Sequence, residues 1–338
     1  MRRRAALLAG AAAIVAQAAA AQKYPTGTKR RELRFAGVGG VTLAGTLLLP
    51  MVSELQKVPG VVLVGGSGPT DRDGNNRYIP VKIDLLKQIA ELLAANGIAA
   101  LRYDKRGIGA STPPPPESRL DDLERFWAWD NFIGDVQLAH AELLRHDEVK
   151  PYATALLGHS EGGVLALAAA SFMGKRGPYA VVLTGTPGRP LFDIVRAQIG
   201  RNGPQYSAAA EQIMRTIIKT GHVPGDVPEP LKLVFPAAAG AFLQGALAFD
   251  PAAGVDRLEA ACLLLHGGAD AQVVPMGDIQ PLIDALARSG KSGEAMVFPM
   301  VSHNLKPVSG AADPGFVGPI APAVADKLTS WLRLVLGA

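Results

Sequence analysis

What most constrains this chain is its regular alternation of strand-like and helix-like segments. Residues 32–36 and 41–49 read as two strands joined by the turn Gly37-Val38-Gly39-Gly40. Residues 61–64 form a short, continuous apolar run, as expected of a strand buried on both faces. Residues 82–95 place apolar side chains at helical spacing, and Gly97 stands where such a helix should end. The rhythm then continues: strand over 98–103, helix over 126–146, strand over 155–157, helix over 162–173, strand over 180–183. After a break it resumes with a strand at 261–265, a helix at 277–287, a strand at 295–298 and a helix at 324–336. Strands alternating with helices of this length predict right-handed crossovers and a mostly parallel, doubly wound α/β sheet.

The break covers residues 189–258, where no strand pattern occurs but 208–219 and 231–249 read as helices. Its regular apolar spacing argues against a structureless loop. The expected organisation is a core of residues 22–188 and 259–338, with 189–258 inserted as a helical cap. The four prolines 113–116 read as a stiff loop.

Charge is concentrated at the start. The chain of 338 residues has a net charge of +4, but three of its basic residues are Arg2, Arg3 and Arg4. An apolar stretch and a small-residue tail follow them, so residues 1–21 have the pattern of a secretory signal peptide cut after Ala21. Without that leader the charge is +1. No basic cluster remains for a nucleic-acid partner, and no other apolar run is long enough to span a bilayer. A periplasmic or secreted location is expected. Cys262 is the sole cysteine, which excludes an internal disulfide and a cysteine-based zinc site. No cofactor or metal is expected. Asp71-Arg72-Asp73-Gly74-Asn75 departs from a calcium loop, with its glycine misplaced and Lys82 where a bidentate glutamate is needed. Oligomeric state is not legible.

The chemistry centres on Gly158-His159-Ser160-Glu161-Gly162, between a strand and a helix. This G-x-S-x-G turn is so tight that only glycine fits two positions to either side of the serine, and it pushes Ser160 out as a nucleophile. A serine hydroxyl needs a base, and the base an orienting acid. On such a sheet they should follow in the order Ser, Asp or Glu, His, at the carboxyl ends of later strands. Asp270 follows the strand at 261–265, and His303 the strand at 295–298. Asp256 and Asp278 are rival acids. The other histidines (140, 146, 159, 222 and 266) read as structural. The oxyanion needs two backbone N–H donors. One is expected from Glu161 and the other from Ser67, in the glycine-rich loop 65–74 after the third strand.

Taken together, GHSEGG, GGSGPTDRDG, RYDKRGIGAS, GGADAQV and VSHN resemble, in that order, the motifs of the α/β-hydrolase superfamily. They are most similar to its bacterial carboxylesterase branch, near the serine aminopeptidases and dienelactone hydrolases. The resemblance covers about residues 30–337. It implies an α/β-hydrolase fold, Ser160, Asp270 and His303 as the triad, and cofactor-independent hydrolysis of carboxylic esters with a short acyl chain. Dienelactone hydrolases use cysteine at the elbow and dehalogenases aspartate, so neither activity carries over to Ser160. Gly65 stands where a loop histidine is usual. Asp104-Lys105-Arg106-Gly107 is expected to lock a loop by ion pairs and supply no chemistry. Two other readings stay open: a serine peptidase on the same triad, whose substrate amine would need an acid such as Asp193, Glu211, Asp226 or Glu229, and a non-catalytic binding protein.

Overall fold

The computed structural model describes residues 27–53, 56–310 and 313–337. The leader 1–21 lies outside the described residues.

Eight strands form one sheet in the order β1-β2-β4-β3-β5-β6-β7-β8. β1 (Thr28–Ala36) and β2 (Thr42–Pro50) make an antiparallel hairpin at one edge, and β2 pairs antiparallel with β4 (Ala99–Tyr103). From there β3 (Val58–Val64), β5 (Val149–His159), β6 (Ala180–Thr184), β7 (Ala261–Gly267) and β8 (Gly293–Phe298) run parallel. Every residue of β3, β4 and β6 is buried. That is why β3 and β6 read as apolar runs, while β4 interrupts its own with Arg102, buried and paired with Asp73 at 2.8 Å.

Helices cover both faces. On one face α1 (Leu85–Ala95) packs against the sheet, and the C-terminal helix joins it in the same hydrophobic cluster. On the other face, α2 (Leu120–Phe126) leads into α3 (Trp129–Leu143), which packs beside α4 (Glu161–Met173). The helix expected over 126–146 is α3, shorter by three residues at each end, and α2 precedes it as a separate element. Arg106 Nη1 donates to the Phe126 carbonyl at 3.1 Å, and Asn131 Nδ2 donates to Arg125 O at 2.6 Å. These side chains satisfy the carbonyls that end α2, so the backbone can turn at Trp127-Ala128. Arg106 is held by a buried pair of bonds to Asp135, 2.7 and 2.8 Å long. The loop lock expected of the 104–107 motif is thus visible, completed by Arg72 Nη2 on Asp104 at 2.7 Å.

Between β6 and β7 lie α5 (Leu191–Asn202), α6 (Ser207–Thr220), α7 (Gly240–Ala248) and α8 (Pro251–Arg257). Helix α6 buries Ile213, Met214 and Ile217 against Val195, Ile199 and Phe235, a cluster separate from the sheet cores. The run 231–249 is not one helix: Pro236, with extended φ/ψ, precedes α7. Helix α8 places Val255 in the same core cluster as α4 and packs against it. The chain closes with α9 (Pro275–Asp278), α10 (Gln280–Ser289) and α11 (Pro322–Leu336). No helix among the described residues is long and apolar enough to cross a membrane.

Candidate active site

The parallel order brings the carboxyl ends of β3, β5, β7 and β8 to one edge. The loops leaving them carry Ser67, Ser160, Asp270 and His303. Ser160 sits between β5 and α4 with φ 55° and ψ −126°. A non-glycine residue at positive φ costs on the order of 1–3 kcal/mol and persists only where its surroundings enforce it. Here they do. Ser160 N–H donates to Thr184 O at 2.8 Å, and Gly163 N–H to Ser160 O at 2.9 Å. A Cβ on Gly158 would lie 2.1 Å from the Gly162 carbonyl oxygen, and one on Gly162 would lie 2.3 Å from that of Val64. The elbow cannot form with larger residues at either position.

Asp270 is buried, and its Oδ1 accepts the N–H groups of Gln272 at 2.8 Å and Val273 at 2.9 Å. Its Oδ2 lies 2.7 Å from His303 Nδ1. A carboxylate held this way accepts only, so the His303 proton sits on Nδ1 and Nε2 is left as the base. No hydrogen bond joins Ser160 Oγ to His303 among the described residues, although both line one cavity. Such a contact commonly tightens only with substrate in place. Neither rival acid bonds His303: Asp256 pairs with Arg288 at 3.5 Å, and Asp278, which lines a cavity together with Ser160, pairs with Arg189 at 2.5 Å.

Two more histidines belong to this cluster, His159 and His266, both of which the sequence reads as structural. The His159 ring stacks at a tilt on His303, with centroids 4.7 Å apart. Burial, reinforced by His303, holds its pKa well below the ordinary imidazole range, so it is neutral. His266 Nε2 lies 2.8 Å from Val273 O and 3.3 Å from Asp270 Oδ2. Burial lowers its pKa too, and it therefore acts as a neutral donor rather than an ionic partner. Both sit at strand ends, which is the one signal that could have marked them. His140 instead bonds Thr154 Oγ1 at 2.8 Å inside the core, and His222 bonds Glu124 at 2.7 Å.

The Ser67 loop comes close to the nucleophile: a Cβ on Gly66 would lie 3.3 Å from that of Ser160. Lys105, itself buried, donates from Nζ to Gly66 O at 2.5 Å and lies 3.4 Å from Glu161 Oε1. Gly66 C=O and Ser67 N–H belong to one trans peptide and point in opposite directions. The ammonium that holds the carbonyl thus also sets the direction of the Ser67 N–H. On sequence alone the 104–107 motif is expected only to lock its loop. Glu161 is the first residue of α4, so its N–H has no acceptor within the helix. In the calcium-like loop, Asp71 Oδ1 takes the N–H groups of Asp73 and Asn75, both at 2.9 Å.

Two cavities meet at Ser160. The larger, about 380 Å³, lies beneath the cap and is walled by Trp129, Val164, Leu191, Ile194, Phe242 and Phe249, with Ser67 and Glu161 at its base. The smaller, about 110 Å³, is lined by Ser67, Asn76, His159, His303, Asn304 and Phe316. Of the cap acids Asp193, Glu211, Asp226 and Glu229, none lines the larger cavity among the described residues.

Comparison with known proteins agrees with this architecture. A sequence profile described as the Alpha/beta hydrolase family matches residues 61–314. Esterase EstD of Thermotoga maritima is 28% identical over 300 residues, covering 86% of this chain and 65% of the relative's own length. Among solved structures, the alpha/beta hydrolase GrgF from a Penicillium species superposes with a TM-score of 0.58 at 19% identity, covering 92% of this chain and all of that one. Acetyl xylan esterase 1 from a Thermoanaerobacterium species gives 0.57 at 17% identity, with 93% and 86% covered. At such identities these two show likeness of fold.

Proposed function

The chain belongs to the alpha/beta hydrolase family, and from that premise we propose that it is an exported serine esterase acting on carboxylic esters. The observation that carries the reading is the convergence of a strained, outward-facing Ser160 with the His303–Asp270 pair on one cavity. Ser160 Oγ attacks the ester carbonyl and passes its proton to His303 Nε2. The carbonyl oxygen, now negative, takes hydrogen bonds from the N–H groups of Ser67 and Glu161. Collapse breaks the ester C–O bond, and His303 returns the proton to the departing alkoxide. Water then attacks the acyl-serine, again losing a proton to His303, and Ser160 leaves as the free hydroxyl. Asp270 keeps the imidazole in the tautomer this cycle needs. The apolar wall of the larger cavity suits the acyl chain. Its volume of about 380 Å³ supports acyl groups longer than the short chain expected.

The test is initial rates on p-nitrophenyl esters from acetate to decanoate, alongside aminoacyl p-nitroanilides, for wild type and Ser160→Ala. Serine-dependent turnover of esters alone supports the reading. Turnover of the anilides moves it to a peptidase. No reaction with a fluorophosphonate probe at Ser160 leaves a binding protein. Export is part of the same proposal, and a mature N-terminus at Gln22 in the secreted or periplasmic fraction is its check.

A further inference from the structure

The larger cavity is apolar along most of its wall, yet an ion pair interrupts it. Arg189 and Asp278 both line it together with Ser160. Arg189 Nε donates to Asp278 Oδ1 at 2.7 Å, and Nη2 lies 2.5 Å from the same oxygen. Asp278 Oδ2 accepts the Val274 N–H at 2.8 Å. The backbone is tied alongside: Gly188 N–H donates to the Asp278 carbonyl at 2.6 Å, and a Cβ on Gly188 would lie 2.8 Å from Leu282 Cγ. The guanidinium is therefore fixed both at its root and along one edge.

An apolar pair of similar volume commonly serves stability as well as a buried ion pair does, so the charge here calls for another reason. The two partners differ in what they leave over. Asp278 is only 6% exposed, and each of its oxygens already accepts a bond. The Arg189 side chain keeps 30% of its surface exposed, and its Nη1 has no hydrogen bond or ion pair among the described residues. A guanidinium donates and never accepts, so the pair offers the cavity donors alone. That disfavours an ammonium on the acyl chain and calls for an oxygen acceptor. Charge decides which kind. Arg189 is the one cation among the residues lining this cavity, Asp278 already balances it, and Glu161 is matched by Lys105 at 3.4 Å. A substrate carboxylate would bring an unbalanced charge beneath the cap, which is costly, whereas a ketone or hydroxyl oxygen would not.

We infer that Arg189 is a specificity residue for the acyl chain, donating from Nη1 to a neutral oxygen that the chain carries. The inference rests on the esterase reading above and narrows it: the substrate class is esters of medium-chain oxo- or hydroxy-acids.

The experiment compares kcat/KM for the p-nitrophenyl esters of octanoate, 5-oxooctanoate and 7-oxooctanoate and for the mono-p-nitrophenyl ester of octanedioate, each divided by its rate of spontaneous hydrolysis. Proteins are wild type, Arg189→Met, and Arg189→Met combined with Asp278→Asn, which leaves no buried carboxylate without its cation. Each is checked for fold by circular dichroism. Wild type should favour at least one oxo ester over octanoate by about tenfold, the worth of one good hydrogen bond from a charged donor. It should take octanedioate more slowly than that oxo ester. In the variants the oxo-to-octanoate ratio should fall to within about twofold of one, with octanoate still turned over. An ion pair with a structural role alone would change all four rates together and leave the ratio where it was. A wild-type ratio near one at both positions, a ratio unmoved by substitution, or a preference for octanedioate overturns the inference and leaves the esterase reading standing. The first and last of these are read on wild type, so a variant that fails to fold does not shelter the inference. Absence of Ser160-dependent turnover on all four esters overturns both.

Discussion

Replacing Lys105 with methionine keeps most of the stem but removes the ammonium that bonds Gly66 O at 2.5 Å. A hydrogen bond from a charged donor to a buried acceptor contributes about 1.5–3 kcal/mol. In this loop that energy holds the 66–67 peptide in one orientation, which fixes the Ser67 N–H proposed as an oxyanion donor. Losing it lets the peptide populate the reversed orientation, in which a carbonyl would face the developing oxyanion. At about 1.4 kcal/mol per decade, the productive fraction falls by about 10- to 150-fold. The loss should appear in kcat and not in KM, since the donor matters only once the carbonyl oxygen is charged. The assay is kcat and KM on p-nitrophenyl octanoate, with the inhibition constant of an alkyl trifluoromethyl ketone measured in parallel. The inhibitor, which forms an oxyanion with the serine, should weaken by the same factor as kcat. A folded Lys105→Met protein with kcat within threefold of wild type, or one that loses KM alone, would refute the peptide-orientation argument.

The larger cavity predicts that ester rates rise from acetate toward octanoate. Ala246→Phe, which fills the wall between Phe242 and Phe249, should return the optimum to acetate or propionate, as the same ester series will read. Stability should fall with acidity. Burial holds His140 at about 4, well below its ordinary 6.5, and lowers His159 and His266 in the same direction. The unfolded chain therefore binds protons that the folded one refuses, and stability present above about pH 6.5 is lost as pH falls toward 4. His140 alone accounts for about 3 kcal/mol across that window. Urea unfolding should give a lower stability at pH 4.5 than at pH 7.5 in the wild type and a smaller difference in His140→Gln, and an unchanged pH dependence in that variant would sink the assignment.

The sheet was legible because its central strands are buried on both faces and so appear as apolar runs between glycine-rich turns. The elbow was legible because its steric demands are local: Gly158, Ser160 and Gly162 lie within five residues. Asp270 and His303 followed from chain order along that sheet. What stayed hidden depends on partners distant in sequence. Lys105 reaches Gly66 and Glu161 because β4 lies beside β3 and β3 beside β5, an order no local pattern encodes. His159 meets His303 across the sheet in the same way, whereas His266 lies only four residues before Asp270. The break between α2 and α3 was missed because it is enforced by Arg106, twenty residues upstream of Phe126.

Helix α7 is two-sided: Leu247 belongs to the cap's own cluster, while Ala246 lies against the sheet-side cluster and lines the larger cavity. The proposed nucleophile, base and acid all stand on strand ends outside this insertion. Selection can therefore redraw the acyl-facing wall by substitutions in α5 and α7 without disturbing the strained turn or the histidine–carboxylate pair. A lineage built this way can change diet while inheriting its reactive machinery intact, and grafting 189–248 between relatives is the natural unit of exchange.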